Sequence, residues 1–414
     1  MNTKTNHPFW ALYYDDDGFT ISGDRIMGRQ AAGHQYLQAV VNSDIQNVAF
    51  YVRNKEQFNF AKNKVESLLP NGKSLKLTAI PFDQPDKTEP YGGIFLPGPN
   101  LSHYSMHRSY FGDNKYSLVG ITHTTASHTV MSSISNLIQY PVMPWDALIC
   151  TSEVVADTIN RITEQSFLEA KKFLGAKSYQ LPMLPVIPLG VHNDEFDFDD
   201  IAKAKARKDL GIDKDDIVVV YVGRLSFHAK AHPVPMYLAL ESCAKEFKGK
   251  KKIHLIQTGW FANDFIEKSF KDEAKQLCPN IECHFLDGKI QDLKRTTLAA
   301  GDIFMSLSDN QQETFGLTPL EGMASGLPVI VSDWNGYRST VRDKVDGFRI
   351  KTYALPSGYG EELAFDYMIG KISYDYYIAH SVQKTAIDVK DCIEKLKILI
   401  FDETKREEFS NNGK

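Results

Sequence analysis

Residues 302–336, DIFMSLSDNQQETFGLTPLEGMASGLPVIVSDWNG, contain one complete strand–loop–helix–strand unit. DIFMSLS is an apolar run of strand type, TPLEGMASG is typical of a short helix that stops at a glycine, and LPVIVS starts the next strand. Strands that alternate with helices form parallel sheets covered by helices on both faces. Strands that are apolar throughout, as here, favour burial on both faces. The unit therefore predicts an α/β fold with a doubly wound sheet.

The same alternation continues along the chain in two separate series. The later series includes IVVVYVGRL at 217–225 and IHLIQTG at 253–259, and an earlier one ends with a long helix towards Leu174 and a last predicted strand, LPVIPLGV at 184–191. A length of 414 residues fits two domains. We predict two doubly wound Rossmann-like domains, residues 1–190 and 191–414, that face each other across a cleft. Residues 394–414 indicate an amphipathic helix and a polar tail, so continuation into a further domain stays open.

Composition and charge exclude several classes of protein. The net charge of -5 argues against a nucleic-acid partner. The five cysteines are scattered and form no C-x-x-C, which favours a reducing compartment over a disulfide framework. The N-terminus lacks the apolar core of a signal peptide, and no apolar run approaches the ~20 residues of a membrane helix. We expect a cytoplasmic protein, with peripheral contact at the inner face of a membrane left open.

The segment around Glu313 predicts a binding site at the start of a helix. Thr318 suits the N-cap, and Glu321 follows three residues later, which is the pattern of a capping box. Phe315, Gly316 and Leu317 would then precede a helix N-terminus, where free N–H groups and the helix dipole favour an anion. Glu313 can accept hydrogen bonds from sugar hydroxyls. The alternative is that Glu321 only caps the helix and Glu313 is a surface acid.

A second segment, YVGRLSFHAKAHP at 221–233, supplies two cations after a strand. The strand ends at Val222, Gly223 turns the chain, and Arg224 and Lys230 follow in the loop. An arginine fork and a lysine point charge at a strand end suit a diphosphate. The alternative is an ordinary solvated loop.

Together these segments closely resemble retaining glycosyltransferase family 4 and its relatives of GT-B fold. The resemblance rests on Glu313 and Glu321 with FGLTPLEGMASGLPVI between and after them, on VGRL followed by Lys230, and on IPLGVHNDEF at 187–196. It is strong from about residue 145 to residue 350 and looser before. It implies transfer of a sugar from a nucleotide-diphosphate sugar to a glycan or glycolipid acceptor. The donor would bind the C-terminal domain and the acceptor the N-terminal one.

The resemblance also implies a role for each matching residue. Arg224 and Lys230 would hold the diphosphate, so that neither a metal nor another cofactor is expected. Glu313 would contact the transferred sugar and Glu321 the ribose. The remaining donor contacts would come from Gly223, Gly259, Phe315, Gly316, Leu317 and Thr318.

Two positions in the N-terminal half complete the predicted site. Gly28 matches a glycine loop that the family places against the donor phosphates, although the usual paired glycines are absent; the alternative is an ordinary helix start. His123 follows the strand YSLVGIT, where the family commonly has a histidine facing the donor sugar. The alternative is a satisfied loop histidine.

Two other functions fit the same scaffold. A sugar-nucleotide epimerase would isomerise the donor without any acceptor, and a non-catalytic nucleotide-sugar-binding subunit would bind the donor without turnover. By resemblance we expect the transferase to act in bacterial surface polysaccharide synthesis, such as capsule or O-antigen, where contact with a polysaccharide-assembly complex stays open.

Overall fold

The computed structural model describes residues 10–19, 28–246, 251–356 and 358–414. The chain divides into two compact units between Leu189 and Gly190. Within the described residues, no helix combines the length and the apolar character needed to cross a bilayer.

The first unit is built on a six-stranded parallel sheet with the order β3-β2-β1-β4-β5-β6. Its strands are β1 (Ala11–Tyr13), β2 (Asn47–Val52), β3 (Lys76–Pro81), β4 (Gly93–Leu96), β5 (Ser117–Thr122) and β6 (Ala147–Cys150). Its helices are α1 (Asp16–Phe19), α2 (Gly28–Asn42), α3 (Lys55–Leu68), α4 (Leu101–Phe111), α5 (His128–Ser135) and α6 (Glu153–Leu174), with 3-10 turns at Pro85–Tyr91 and Asn136–Ile138.

Alternation along β1 shows why this sheet is buried on both faces. Ala11 and Tyr13 pack into one hydrophobic cluster, whereas Leu12 and Tyr14 pack into another. Successive side chains of a strand point to opposite faces, so the two clusters are the two sides of the sheet. The prediction of a doubly wound sheet is therefore confirmed.

The second unit repeats the same design. Its strands are β7 (Ile217–Val222), β8 (Ile253–Gly259), β9 (Glu282–Asp287), β10 (Ile303–Ser306), β11 (Val329–Ser332) and β12 (Gly347–Ile350), in the order β12-β11-β10-β7-β8-β9, and β13 (Thr352–Ala354) pairs antiparallel with β14 (Thr385–Ile387). Its helices are α7 (Asp200–Asp209), α8 (Val234–Glu246), α9 (Asp264–Leu277), α10 (Gln291–Ala300), α11 (Leu317–Ala324), α12 (Tyr337–Thr340), α13 (Glu361–Met368), α14 (Tyr374–Val382), α15 (Val389–Phe401) and α16 (Glu403–Gly413), with a 3-10 turn at Asn193–Glu195.

The strand order is the same in both units once each is counted from its own first strand. Each sheet reads 3-2-1-4-5-6, which is the Rossmann order. The chain leaves the first and fourth strands of such a sheet towards opposite sides, so a crevice opens where their carboxyl ends meet.

Two predicted elements differ from the structure. Residues 184–191 form no strand: only isolated bridges, Ala147↔Met183 and Cys150↔Val186, tie this passage to β6. Prolines at 182, 185 and 188 remove the N–H groups that a ladder needs. The predicted polar tail is also wrong, because it is helix α16. Asp402 caps α16 by accepting from the Lys405 N–H, and Phe409 is fully buried.

A partly buried ionic cluster at Asp302 ties α7 to the second sheet. Arg207 donates to Asp302 Oδ2 at 2.5 Å and Lys203 to Oδ1 at 2.7 Å. The Val218 N–H of β7 also donates to Oδ2, at 2.8 Å. Arg207 additionally donates to the Ala300 carbonyl at 3.1 Å, so one guanidinium joins α7, α10 and the start of β10.

Candidate functional site

The two predicted site segments around Lys230 and Glu313 lie at the crevice of the second sheet. Strands β7 and β10 are direct neighbours, with Ile303 paired to Val219 and Phe304 to Val220. The Lys230 loop, residues 223–233, follows β7, and the Glu313 loop, residues 307–316, follows β10. The strand order therefore explains why two segments about 80 residues apart in the chain meet.

Lys230 and Glu313 form an ion pair between Nζ and Oε2. Their side chains are only 19% and 10% exposed. A pair this shielded from water interacts more strongly than one on the open surface. The structure thus joins the two residues that the sequence placed in different roles, one on the diphosphate and one on the sugar.

Three successive residues of the Glu313 loop hold the backbone of the Lys230 loop. The bonds run from Ser308 Oγ to the Lys230 carbonyl at 2.8 Å, from Asn310 Nδ2 to the His228 carbonyl at 2.7 Å, and from the His232 N–H to the Asp309 carboxyl. Sequence analysis missed this clamp. Its signal was the run SDN directly after a strand, since short polar side chains readily bond nearby backbone groups.

Asp309 is an unusual member of this clamp. It is 6% exposed, and its Oδ1 has no hydrogen-bond partner among the described residues. Burial raises the pKa of Asp309 to about 7, against the lowering effect of its backbone hydrogen bonds. A carboxyl group that titrates near neutral pH therefore lies beneath the Lys230 loop.

Arg224 lies in the same loop as Lys230 and packs back on it. Its NH2 group donates to the Ala229 carbonyl at 3.0 Å, and its guanidinium lies 5.8 Å from the ring centre of Trp260. Burial lowers the pKa of Arg224, while the nearby Tyr221 acts in the opposite direction. The Tyr221 hydroxyl donates to the Arg224 carbonyl at 3.0 Å and supports the turn from below.

Gly223 and Gly259 are explained by close backbone packing. Gly223 has a φ of +153°, which favours glycine, and a Cβ on Gly259 would lie 1.9 Å from the Gly223 carbonyl oxygen. This contact accounts for glycine at 259 without a ligand, so the predicted role of Gly259 beside a nucleotide stays a prediction.

The capping box is wrong. Helix α11 begins at Leu317, its N-cap is Gly316, and no side chain caps it. Gly316 has a φ of +94° and packs so closely on Tyr337 that a Cβ would lie 2.2 Å from that ring. Thr318 is therefore already inside the helix, and its Oγ1 is buried without a hydrogen-bond partner among the described residues.

Glu321 accepts a hydrogen bond from another helix and does not cap its own. Its Oε1 accepts from Lys294 Nζ of α10 at 2.7 Å, and the Glu321 side chain is 5% exposed. Its Oε2 is buried and bonds no described residue. Sequence analysis missed Lys294, which lies 27 residues away on another helix.

The start of α11 still has the features of an anion site. Phe315 is buried, Gly316 turns the chain, and Leu317 opens the helix. The first N–H groups of a helix lack intrahelical partners. Tyr337, which packs on Gly316, bonds the Ser306 hydroxyl at 2.8 Å, and burial and then Glu313 raise the pKa of Tyr337. Tyr337 is a further residue of the Glu313 environment that the sequence did not reveal.

The two N-terminal candidates lie in the first unit. Gly28 begins α2 and has open space around it, and the residues before it lie outside the described residues. His123 directly follows β5. Burial, with a smaller contribution from Arg29 beside Gly28, lowers the pKa of His123 to about 4. The imidazole is therefore neutral at pH 7, and the structure brings the start of α2 close to the end of β5.

The chain matches known proteins most clearly in its second unit. The family model described as glycosyl transferases group 1 matches residues 202–362. The D-inositol 3-phosphate glycosyltransferase of Geodermatophilus obscurus is 26% identical over 210 residues, which is 50% of this chain and 45% of the relative. The alpha-monoglucosyldiacylglycerol synthase of Streptococcus pneumoniae is 25% identical over 49% of this chain and 41% of the relative. The chain thus spans less than half of the length of both relatives.

Solved structures resemble the chain over its full length. Anabaena HepE in complex with UDP and glucose has a TM-score of 0.52 at 14% identity, covering 98% of this chain and 93% of that one. Sucrose-phosphate synthase from Thermosynechococcus elongatus has a TM-score of 0.55 at 16% identity, with the same coverage of 98% and 93%. At such low identity these likenesses establish the fold alone. Residues 202–362 thus match the glycosyl transferases group 1 family model, within a chain that has the GT-B fold of two Rossmann-like domains.

Proposed function

We propose that this protein is a retaining glycosyltransferase that transfers a sugar from a nucleotide-diphosphate sugar to a hydroxyl group of a glycan or glycolipid. One observation carries the proposal: Lys230 and Glu313 pair at the crevice between β7 and β10, in the part of the chain that the family model covers. Ligands of open α/β sheets bind outside the carboxyl ends of the strands at this point of the topology.

The proposed reaction uses Lys230 and Arg224 to stabilise the leaving group. The diphosphate competes with Glu313 for Lys230 and sets the Glu313 carboxylate free to accept hydrogen bonds from the sugar. As the bond from the anomeric carbon to the phosphate oxygen breaks, negative charge grows on the diphosphate. Cations and amides already in position stabilise that charge most in the transition state. Removal of one such contact typically costs about 10²–10³ in rate.

The acceptor supplies the hydroxyl group that forms the new bond and the proton that the leaving group takes up. Its hydroxyl oxygen attacks the anomeric carbon from the face that the leaving group vacates, and its proton moves to an oxygen of the released diphosphate. The new glycosidic bond keeps the configuration of the broken one. In this proposal Arg224 and Lys230 carry the positive charge, and no metal or other cofactor takes part.

The acceptor class follows from the relatives as a proposal. One relative is named for a glycosyltransferase reaction at D-inositol 3-phosphate and another for alpha-monoglucosyldiacylglycerol. These names support a hydroxyl-bearing acceptor such as a glycan or a glycolipid. The proposed role in surface polysaccharide synthesis rests on the family resemblance of the sequence.

A two-stage experiment tests the proposed function. UDP-, GDP- and ADP-sugars are screened by thermal shift, where a ligand at 100 times its Kd should stabilise by about 2.7 kcal/mol. The donor that binds is then incubated with and without glycan and glycolipid acceptors, and the anomeric configuration of the product is read by NMR. Transfer with retention supports the proposal. An isomerised nucleotide sugar without acceptor, an inverted product, or binding without any transfer would each contradict it.

A further inference from the structure

Two polar side-chain atoms of α11 are buried without a hydrogen-bond partner among the described residues. Glu321 Oε2 and Thr318 Oγ1 are both buried, and neither bonds a described residue. The two residues are three apart in one helix and therefore share a face. A buried polar atom without a hydrogen-bond partner is rare, because it costs folding free energy. Two such atoms on one helix face therefore indicate a site for a ligand that bonds them.

The other oxygen of the same carboxylate is firmly held. Glu321 Oε1 accepts from Lys294 Nζ at 2.7 Å, and the side chains of Lys294 and Glu321 are 21% and 5% exposed. Lys294 Nζ also lies 5.7 Å from the ring centre of Phe196, a residue that is itself buried. A salt bridge and a cation–π contact thus fix the ammonium group from two sides. Because Lys294 occupies Oε1, only Oε2 of Glu321 remains to accept a hydrogen bond, and its position is fixed.

We infer that Lys294 is a positioning residue that fixes the Glu321 carboxylate so that its second oxygen receives a hydroxyl of the donor's ribose. The inference rests on the proposed function, and it assigns to Lys294 a role in selecting ribonucleotides. A carboxylate oxygen is an acceptor only, so its partner must be a donor such as a hydroxyl. A ribose offers two hydroxyls on adjacent carbons, which matches Glu321 Oε2 and Thr318 Oγ1 on one helix face.

This role differs from a direct contact between Lys294 and the nucleotide. If Lys294 acts through Glu321, its loss should matter only when the ligand has ribose hydroxyls. If it touches a phosphate or base, its loss should weaken every nucleotide to the same degree. Removing the hydroxyls from the ligand therefore separates the two roles.

The test measures Kd by calorimetry for UDP, GDP and ADP and for their 2′,3′-dideoxy counterparts. In the wild-type protein, loss of the hydroxyls should weaken the nucleotide that binds best by about 10- to 150-fold, as expected for hydrogen bonds to a charged group. Lys294→Met should reduce this ratio to about 3-fold or less, since the carboxylate is no longer fixed. Lys294→Arg keeps a cation and should retain most of the ratio. Lys275→Met, at an exposed lysine of α9, is the matched control and should leave the ratio unchanged.

A double variant guards against misfolding. Lys294→Met alone leaves a buried carboxylate without its cation, which can destabilise the fold. Lys294→Met with Glu321→Gln removes that charge as well, and it should discriminate no less than Glu321→Gln alone. A further equal loss of ribonucleotide and dideoxynucleotide binding in the double variant would overturn the inference, as would an unchanged ratio in Lys294→Met. Wild-type binding without ribose discrimination would also overturn it while leaving the proposed function intact, whereas no nucleotide binding at all would contradict both.

Discussion

Two lysine–glutamate pairs contain the glutamates that precede and follow the start of α11 in the sequence, and the pairs differ in what surrounds them. Lys230 and Glu313 belong to two loops that follow neighbouring strands, whereas Lys294 and Glu321 belong to two helices. In the first pair, both partners are proposed to contact the donor. In the second, only the glutamate is. A bound diphosphate must therefore compete for Lys230, while the Lys294 bridge persists.

The difference teaches how one helix can serve both chemistry and recognition. A pair that exchanges partners during the reaction affects the rate, because its contacts change between the ground state and the transition state. A pair that keeps its partner contributes equally to both states and affects binding alone. Five substitutions test this distinction and the clamp beside the first pair, and they are taken from the largest expected effect to the smallest.

Lys230→Ala should give the largest effect. It removes a cation from the diphosphate, and kcat should fall by about 10²–10³. The protein should still fold, with some loss of stability because Glu313 loses its cation. Steady-state kinetics with the identified donor, together with far-UV circular dichroism, provide the measurement. A near-normal kcat in this variant would show that Lys230 does not act on the diphosphate, and the proposed difference between the two pairs would be wrong.

Asp309→Asn addresses the clamp beneath the Lys230 loop. The folded pKa of Asp309, about 7, lies above the ordinary value of 3.8, so the native carboxyl keeps its proton while the unfolded one ionises. The free energy of unfolding of the wild-type protein should therefore fall as the pH rises from about 4 to 7. The Asp309→Asn variant should not show this loss, because its amide does not ionise. The stability advantage of the variant should grow by about 2–3 kcal/mol between pH 5 and pH 8.

Urea unfolding of both proteins at the two pH values measures this advantage. An advantage that is the same at pH 5 and pH 8 would show that Asp309 is already ionised in the folded protein at pH 5. The Asp309 backbone bond to His232 can survive in the variant, since an amide oxygen also accepts.

Glu321→Gln should affect binding more than chemistry. The amide keeps the shape but loses the charge that faces the ribose, so KM for the donor should rise by about 10-fold while kcat changes little. The matched change in the other pair, Glu313→Gln, should lower kcat instead. Equal effects of the two substitutions on kcat and KM would erase the distinction between the pairs.

Ser308→Ala is expected to have the smallest effect. It removes one clamp bond, from Ser308 Oγ to the Lys230 carbonyl, and should cost about 1 kcal/mol of stability. Because the clamp positions Lys230, kcat should also fall several-fold. Thermal unfolding and kinetics measured on one preparation check both. Loss of stability with unchanged kcat would make the clamp purely structural.

The sequence predicted the repeating units of the fold but not their arrangement. Apolar runs such as IVVVYV revealed buried strands, because burial on both faces leaves no polar alternation. The order 3-2-1-4-5-6 depends on pairing between strands far apart in the chain, and no local pattern encodes it. LPVIPLGV was apolar enough for a strand, but its prolines prevented a ladder.

In the candidate site, too, features within one short segment could be predicted, whereas contacts between distant segments could not. The motif around Glu313 and the cations after β7 were visible because each lies in one short segment. The capping box failed because the left-handed turn at Gly316, imposed by packing on Tyr337, moved the helix start to Leu317. Lys294 could not be found from the sequence, since only the tertiary fold brings this residue of α10 to Glu321, 27 residues away.

The ionic cluster at Asp302 has a practical consequence for anyone who cuts the chain to study the second unit alone. The family model starts at residue 202, inside α7, yet Asp199 caps that helix and Arg207 and Lys203 anchor it to the sheet. A fragment that starts at 202 would lose the cap and fray the helix that shields the Asp302 carboxylate. A boundary at Gly190, where the second unit begins, keeps cap, helix and cluster together and also retains Phe196 beside Lys294, so a fragment of residues 190–414 is the one to purify for crystallisation or NMR.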